Sequence, residues 1–146
     1  MTTFLSIDPG KCKCGVVIAD YDREQVYEAL VINSNLLVKK VKKVKSKNEN
    51  LKVIIGNGTT HKLFSKYLHF LGDDLIIVDE RNTTLRSKER YFDLFPLTGL
   101  KRFVPREFFL RKINLDAIAA LILLEDHTKI SFELVSDIDT KTWRKQ

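Results

Sequence analysis

The chain has little of what marks extracellular, membrane or fibrous proteins. Of its 146 residues, only two are cysteine, three are proline and six are glycine. Two cysteines in a C-x-C spacing cannot form a disulfide framework, which favours a reducing compartment. No apolar run approaches the ~20 residues of a membrane span, and the N-terminus lacks the basic segment and long apolar core of a secretory signal. We therefore expect a cytoplasmic protein with no membrane partner.

Length and patterning predict one α/β domain over residues 1–146. Apolar runs bounded by turn residues predict strands at about 3–8, 14–20, 25–33, 51–56 and 74–78, and 130–135 is compatible with a further short strand. Helical spacing predicts helices at about 34–47, from about 59, at 83–95 and at 114–127. This order predicts a mixed five-stranded sheet, three strands antiparallel and then two parallel, flanked by helices. Residues from about 136 to 146 are expected to form a polar, partly disordered tail.

The formal charge of +6 is partly concentrated in a lysine-rich stretch, residues 38–47. Leu37, Val41 and Val44 recur at helical spacing beside these lysines, which predicts an amphipathic helix with a basic outer face. A solvated face and a binding face fit this pattern equally well.

A second basic stretch, residues 101–112, interleaves arginines with phenylalanines. Arg102, Arg106 and Arg111 suit phosphate geometry, and aromatic rings can stack on bases, so we favour nucleic-acid contact here. The alternative is that the phenylalanines form core beneath a surface loop.

Acidic residues stand at positions that the predicted sheet would bring together. Asp8 ends the first strand, Asp79 and Glu80 follow the last parallel strand, and Asp116 lies in the first turn of the final helix. In open α/β sheets the ligand crevice lies at the carboxyl ends of the strands. Three converging carboxylates repel one another unless cations neutralise them, and oxygen ligands suit Mg²⁺ or Mn²⁺. Two such ions would form a clamp for phosphodiester cleavage.

Each acid also has an ordinary structural interpretation. Asp8 fits a turn residue bonded to its own backbone, and Asp79 or Glu80 fits a helix cap or a partner of Arg81. Asp116 would be favoured by the helix dipole. On a basic chain with this order of strands, we favour the metal site.

Four short motifs follow one another along residues 4–127. They are Ile7-Asp8-Pro9-Gly10 with Lys13 and Gly15, then Ile55-Gly56-Asn57-Gly58-Thr59, then Val78-Asp79-Glu80-Arg81-Asn82-Thr83-Thr84, and then Asp116-Ala117-Ile118-Ala119-Ala120. In this order the set resembles the YqgF/RuvX family, whose RNase H-fold members are related to the RuvC Holliday junction resolvases.

The resemblance implies an RNase H-like fold and a metal-dependent nuclease that resolves Holliday junctions or matures precursor ribosomal RNA. It implies that Asp8, Glu80 and Asp116 are the catalytic acids and bind Mg²⁺ or Mn²⁺, two ions being expected. Spacing does not decide between Asp79 and Glu80, because neighbours on a strand point to opposite faces. Glu80 is preferred from the family motif alone. The resemblance also implies nucleic-acid contacts near the crevice from Lys13, Asn57, Thr59, Arg81 and Thr84. The partner would be branched DNA or precursor ribosomal RNA, and symmetric resolution would need a homodimer.

Departures from the RuvC pattern keep a second function open. No acid ends the fourth strand, where Gly56 and Asn57 stand, and Ala119 and Ala120 occupy places where RuvC enzymes carry a further acid. A weak or inactive nuclease that only binds nucleic acid is the first alternative. The second is a phosphotransferase, since actin-like kinases share the D-x-G hairpin; those proteins normally close two domains around a nucleotide.

Overall fold

The structure of the chain is a computed structural model, which describes residues 1–143. Its strands are β1 (Thr3–Asp8), β2 (Lys13–Asp20), β3 (Gln25–Asn33), β4 (Leu51–Gly56), β5 (Leu75–Val78) and β6 (Glu133–Leu134). Its α-helices are α1 (Leu37–Lys45), α2 (His61–Tyr67), α3 (Thr83–Leu94), α4 (Arg106–Leu110) and α5 (Asp116–Thr128). Short 3₁₀ turns lie at Ser34–Leu36, His69–Asp74, Gly99–Phe103 and Lys141–Trp143. The predicted alternation of strands and helices is confirmed.

The strands form one mixed sheet in the order β5-β4-β1-β2-β3-β6. β1, β2 and β3 are antiparallel neighbours, whereas β4 is parallel to both β1 and β5. The predicted mixed α/β sheet is thus confirmed. The prediction of five strands is wrong, because β6 adds a sixth strand parallel to β3.

β6 covers the outer edge of β3. Glu133 N donates to Glu24 O (3.0 Å) and Val135 N donates to Val26 O (3.0 Å). Phe132, which is 1% exposed, fixes the chain beside this edge. The strand forms because it satisfies backbone groups that an open edge would leave unpaired.

Two apolar layers lie on opposite faces of the sheet. The layer on one face includes Leu37, Val41 and Val44, as the helical spacing of α1 predicts. The layer on the other face contains α5, whose residues 117–124 are all buried. The sequence predicts a core-facing stripe on α5, but the whole middle of the helix is buried because it lies between the sheet and α3. Among residues 1–143, no helix is both long and apolar enough to cross a membrane.

The C-terminal segment is ordered as far as the structure describes it. Trp143 is 3% exposed and its Nε1 donates to Ala29 O (3.0 Å), while Val31 N donates to Thr142 Oγ1 (3.0 Å). The predicted polar tail therefore includes a segment, up to Trp143, that contacts the sheet and whose indole ring contributes to the core. Residues 144–146 of that predicted tail lie outside the described residues.

Candidate active site

The carboxyl ends of β1, β4 and β5 meet at one edge of the sheet. Ile7 is in register with Ile55, and Gly56 is in register with Val78. Asp8 therefore ends its strand beside Gly56, and Glu80 follows the strand on the other side of β4. Two of the predicted acids are thus separated by a single strand.

Strand alternation decides which of the two acids after β5 turns toward α5. Ile76 and Val78 pack against the apolar layer that contains α5, whereas Ile77 is exposed. Glu80 continues the alternation of Ile76 and Val78, and Asp79 continues that of Ile77. The side chain of Glu80 accordingly lies at the end of β4, while Asp79 forms an ion pair with Arg81.

Asn57 fixes the backbone that carries Glu80. Glu80 N donates to Asn57 Oδ1 (3.1 Å), and Asn57 Nδ2 donates to Asp79 Oδ1 (3.3 Å). Asn57 N also donates to Val78 O (2.9 Å). The family resemblance implies that Asn57 contacts nucleic acid. In the structure its side chain instead hydrogen-bonds to residues 79 and 80 and so holds Glu80 in position.

Two glycines form a cradle for the Glu80 carboxylate. A Cβ at Gly56 would stand 1.9 Å from Glu80 Oε1, and one at Gly58 would stand 2.4 Å from Oε2. Oε1 is buried and has no hydrogen-bond partner among the described residues. Burial raises the pKa of Glu80 most; the backbone of Gly58 and the nearby His61 oppose this rise, and Asp79 adds to it.

Asp116 is brought to the same edge by a close contact between α5 and β2. It is the first residue of α5, and its backbone N donates to Asn114 Oδ1 (3.2 Å). Gly15, the β2 partner of Asp8, lies so close to this turn that a Cβ there would stand 1.8 Å from Asp116 O. Because Gly15 has no side chain, the start of α5 can rest on the strand beside Asp8.

The ionisation of Asp8 is disfavoured by both of the other acids. Burial raises its pKa to about 7, and the charges of Glu80 and Asp116 add to this rise. Asp8 is therefore the centre of an electrostatic group formed with Glu80 and Asp116, in which the charges of the other two acids disfavour its ionisation.

This group has the chemistry of a site for a hard divalent cation. Its donors are carboxylate oxygens, the ligands that Mg²⁺ and Mn²⁺ prefer, and one of them is a buried oxygen without a partner. As the side chains stand, no set of three or more His, Cys, Asp or Glu within residues 1–143 is arranged to hold a metal ion. Since like charges repel, ionised carboxylates are expected to converge on one point when a cation is bound between them.

A groove of mixed charge begins at Asp116. It has a volume of about 520 Å³ and is lined by residues of α3, α4 and the start of α5, whose charged members are Lys88, Arg111, Glu107 and Asp116. Arg111 and Asp116 thus line the same groove. Lys88 is a cation of this groove that sequence reasoning missed, although it follows Thr84 by four residues on α3 and so shares a helix face with it.

His61 is the other neighbour of the site that the sequence did not reveal. Its Nδ1 lies 2.8 Å from Gly58 O, and its charge opposes the rise in the pKa of Glu80. No pattern in the sequence connects this histidine with an acid nineteen positions further along the chain.

Three other predicted residues are exposed around the crevice. Lys13 precedes Gly15 by two positions, so it leaves β2 on the face that carries α5. Thr59 is exposed after β4, and Thr84 is exposed in the first turn of α3. The structure shows no contact that gives any of the three a role.

The remaining predicted arginines do not line the groove at Asp116. Arg106 lies over the ring of Phe92, with its guanidinium carbon 5.0 Å from the ring centroid. Arg102 is exposed in a 3₁₀ turn, next to Phe103, which is 85% exposed. The interpretation of these phenylalanines as buried core is therefore wrong for Phe103 and also for Phe108, which is 59% exposed.

The lysine-rich helix α1 packs on the opposite face of the sheet from the three acids. Lys40 forms an ion pair with Glu28, and Lys45 forms one with Asp74 (2.8 Å). The outer lysines of this helix, Lys39, Lys42, Lys43 and Lys47, are exposed.

Comparisons with known proteins leave the family of the chain open. No model of a known protein family matches it, and no curated protein matches it. Its function therefore has to be inferred from the site.

Proposed function

We propose that this protein is a nuclease that depends on Mg²⁺ or Mn²⁺ and hydrolyses phosphodiester bonds in structured nucleic acid. The observation that carries the proposal is the electrostatic group of Asp8, Glu80 and Asp116 at the carboxyl ends of the strands. The pKa of Asp8 is raised to about 7 by burial and by the other two acids, and Glu80 Oε1 has no partner among the described residues. Such a group is costly unless cations neutralise it.

The roles of the chain's own residues follow from their positions. Asp8, Glu80 and Asp116 would hold the metal, with two ions expected. Ions bound there would supply the Lewis acidity that phosphodiester hydrolysis requires. Lys88 and Arg111 line the groove at Asp116, where they would bind the phosphates beside the scissile bond and hold the strand in place. Asn57 and the two glycines of the cradle keep the Glu80 carboxylate in position.

The resemblance to the YqgF/RuvX family supports the same proposal. The RNase H-like fold that it implies agrees with three antiparallel strands followed by two parallel ones. Branched DNA and precursor ribosomal RNA are the substrate classes that the resemblance suggests, and a homodimer would be required only for symmetric junction resolution. A cytoplasmic protein agrees with two free thiols, one exposed at Cys12 and one buried at Cys14.

A non-catalytic nucleic-acid-binding protein is the second candidate. One observation favours it: within residues 1–143 the acids are not arranged to hold an ion as they stand. The cations of the groove would then bind phosphates without cleavage.

Cleavage of a substrate panel separates the two candidates. Branched DNA, single- and double-stranded DNA and precursor ribosomal RNA would be incubated with the protein in Mg²⁺, in Mn²⁺ and in EDTA. We expect metal-dependent cleavage that is lost in Asp8→Asn and retained in Asp79→Asn, since Asp79 lies outside the cradle. Binding that is equal in all three proteins, with no cleavage of any substrate, would contradict the nuclease proposal and support the second candidate.

A further inference from the structure

A second cavity lies beside the candidate active site and is not used by it. It has a volume of about 730 Å³ and is bounded by α3, the segment that follows it, α4 and the C-terminal turn. The aromatic residues of its lining are Tyr91, Phe95, Phe108, Phe109 and Trp143.

The lining combines aromatic rings with positive charge. Five of the residues are aromatic, and Phe95 packs edge-on against Trp143 with ring centroids 5.6 Å apart. Lys101 and Lys112 are the charged residues of the lining, and no Asp or Glu belongs to it. Neither lysine forms an ion pair with a carboxylate of residues 1–143. The cavity therefore suits a flat apolar group that carries negative charge.

The cavity adjoins the groove that contains Asp116. Ile113 lines both, and α4 lies between them. Phe108 and Phe109 face the aromatic cavity, whereas Leu110 and Arg111 face the groove. A strand whose phosphate is held at Arg111 would thus have the aromatic cavity on the other side of α4.

We propose that the aromatic cavity binds an unpaired nucleobase next to the phosphate held at Asp116. This inference rests on the proposed function and adds a substrate class to it: nucleic acid with a single-stranded or extruded nucleotide beside the cleavage site. The base stacks on the aromatic lining, and Lys101 and Lys112 bind its flanking phosphates. A base inside a duplex is covered by its stacked neighbours and cannot enter such a cavity without leaving the stack.

Trp143 provides a direct probe, because it is the only tryptophan of the chain and lines the cavity. Its fluorescence would be followed during titration in EDTA with a short single-stranded oligonucleotide, with a duplex of the same length, and with an abasic oligonucleotide. We expect saturable quenching by the single strand and little by the other two. Phe108→Ala should weaken this binding roughly ten-fold, the order expected for one lost stacking contact.

Phe103→Ala is the matched control variant. Phe103 belongs to the same stretch of chain and is 85% exposed, but it does not line the cavity. The affinity of Phe103→Ala for the single strand should equal that of the wild type. Since Phe108 is 59% exposed, its replacement is not expected to disturb folding, and Lys112→Gln gives a second test that leaves every ring in place.

The proposal is overturned if the abasic oligonucleotide quenches as strongly as the normal one, because the backbone alone would then suffice. It is also overturned if Phe103→Ala and Phe108→Ala bind the single strand equally well, or if the duplex quenches as strongly as the single strand. Quenching in EDTA, combined with no cleavage of the substrate panel in Mg²⁺ or Mn²⁺, would refute the nuclease proposal and support base binding in the cavity. Cleavage without quenching would support the nuclease proposal and refute base binding in the cavity.

Discussion

The carboxylate of Glu80 occupies the space that a side chain at Gly56 would need, since a Cβ at Gly56 would stand 1.9 Å from Glu80 Oε1. Through this contact, an acid that follows β5 places its carboxylate over the end of β4. It comes to lie beside the strand that ends at Asp8, where the two charges interact. The absence of a side chain at Gly56 is thus as much a part of the candidate site as the acids themselves.

Replacing Gly56 by alanine should therefore displace the Glu80 carboxylate without unfolding the protein. The nearest atoms to the new methyl group belong to the flexible end of one side chain, so the melting temperature should change little. A misplacement of about 1 Å can cost roughly 100-fold in rate, and we expect a loss of that order in cleavage.

The control for this prediction is the same replacement in a Glu80→Ala background. Without the glutamate side chain, Gly56→Ala should have no further effect on the remaining activity. Full cleavage activity of the single variant would show that the position of the Glu80 carboxylate is unimportant.

Asp8 should make the metal-free protein less stable as the pH rises. Its pKa is raised from 3.8 to about 7, so between these values the folded state holds a proton that the unfolded chain has lost. The free energy of unfolding then falls across this window and levels off above it. Asparagine cannot ionise, and Asp8→Asn should therefore be more stable than the wild type at ~pH 8, by up to a few kcal/mol, and similar to it at ~pH 4.

Denaturant unfolding in EDTA at several pH values measures this difference. Asp79→Asn serves as the control, because Asp79 is half exposed and paired with Arg81, and its curve should follow that of the wild type. If Asp8→Asn were markedly less stable than the wild type at every pH, Asp8 would be a structural residue rather than a member of a repulsive acid group.

The cations of the groove should set the affinity for nucleic acid. Lys88→Gln and Arg111→Gln should each weaken binding in EDTA and each reduce the slope of log affinity against log salt concentration by about 1. Lys43→Gln is the matched control, since Lys43 is exposed on the opposite face of the sheet. If Lys43→Gln weakened binding more than the groove variants did, nucleic acid would bind at α1 rather than at the groove.

Trp143 should anchor the C-terminal segment to the sheet. Trp143→Ala removes a buried ring and should cost about 3–5 kcal/mol of unfolding free energy. Trp143→Phe keeps most of the apolar contact but loses the hydrogen bond to Ala29 O, which should cost about 1 kcal/mol. Thermal or denaturant unfolding distinguishes them, and an alanine variant as stable as the wild type would mean that the segment is not held by this residue.

Much of the sheet could be predicted because its first strands are long and their turns are short. β1 and β3 have the predicted bounds, since Pro9-Gly10 and Asp22-Arg23-Glu24 separate clear apolar runs. β6 could not be predicted as part of the sheet, because a strand of two residues has no periodicity of its own. Its formation depends on the open edge of β3.

The candidate site, like the sheet, could be predicted from the sequence only in part. The order of the strands and the start of α5 place Asp8 where the charges of Glu80 and Asp116 act on it. The choice between Asp79 and Glu80 depends on which side chains of a four-residue strand face α5, and spacing alone does not give this orientation. Lys88 could not be predicted as a residue of the groove, because its approach to Asp116 depends on how α3 packs against α5.

Binding of Mn²⁺ tests the central claim most directly, because it requires no knowledge of the substrate. Free Mn²⁺ would be measured by electron paramagnetic resonance during titration of the wild type, Asp8→Asn, Glu80→Gln and Asp79→Asn. We expect the wild type and Asp79→Asn to bind Mn²⁺ equally, and Asp8→Asn and Glu80→Gln to lose most of this binding. Equal binding by all four proteins, or none by the wild type, would contradict the assignment of Asp8, Glu80 and Asp116 as a metal site.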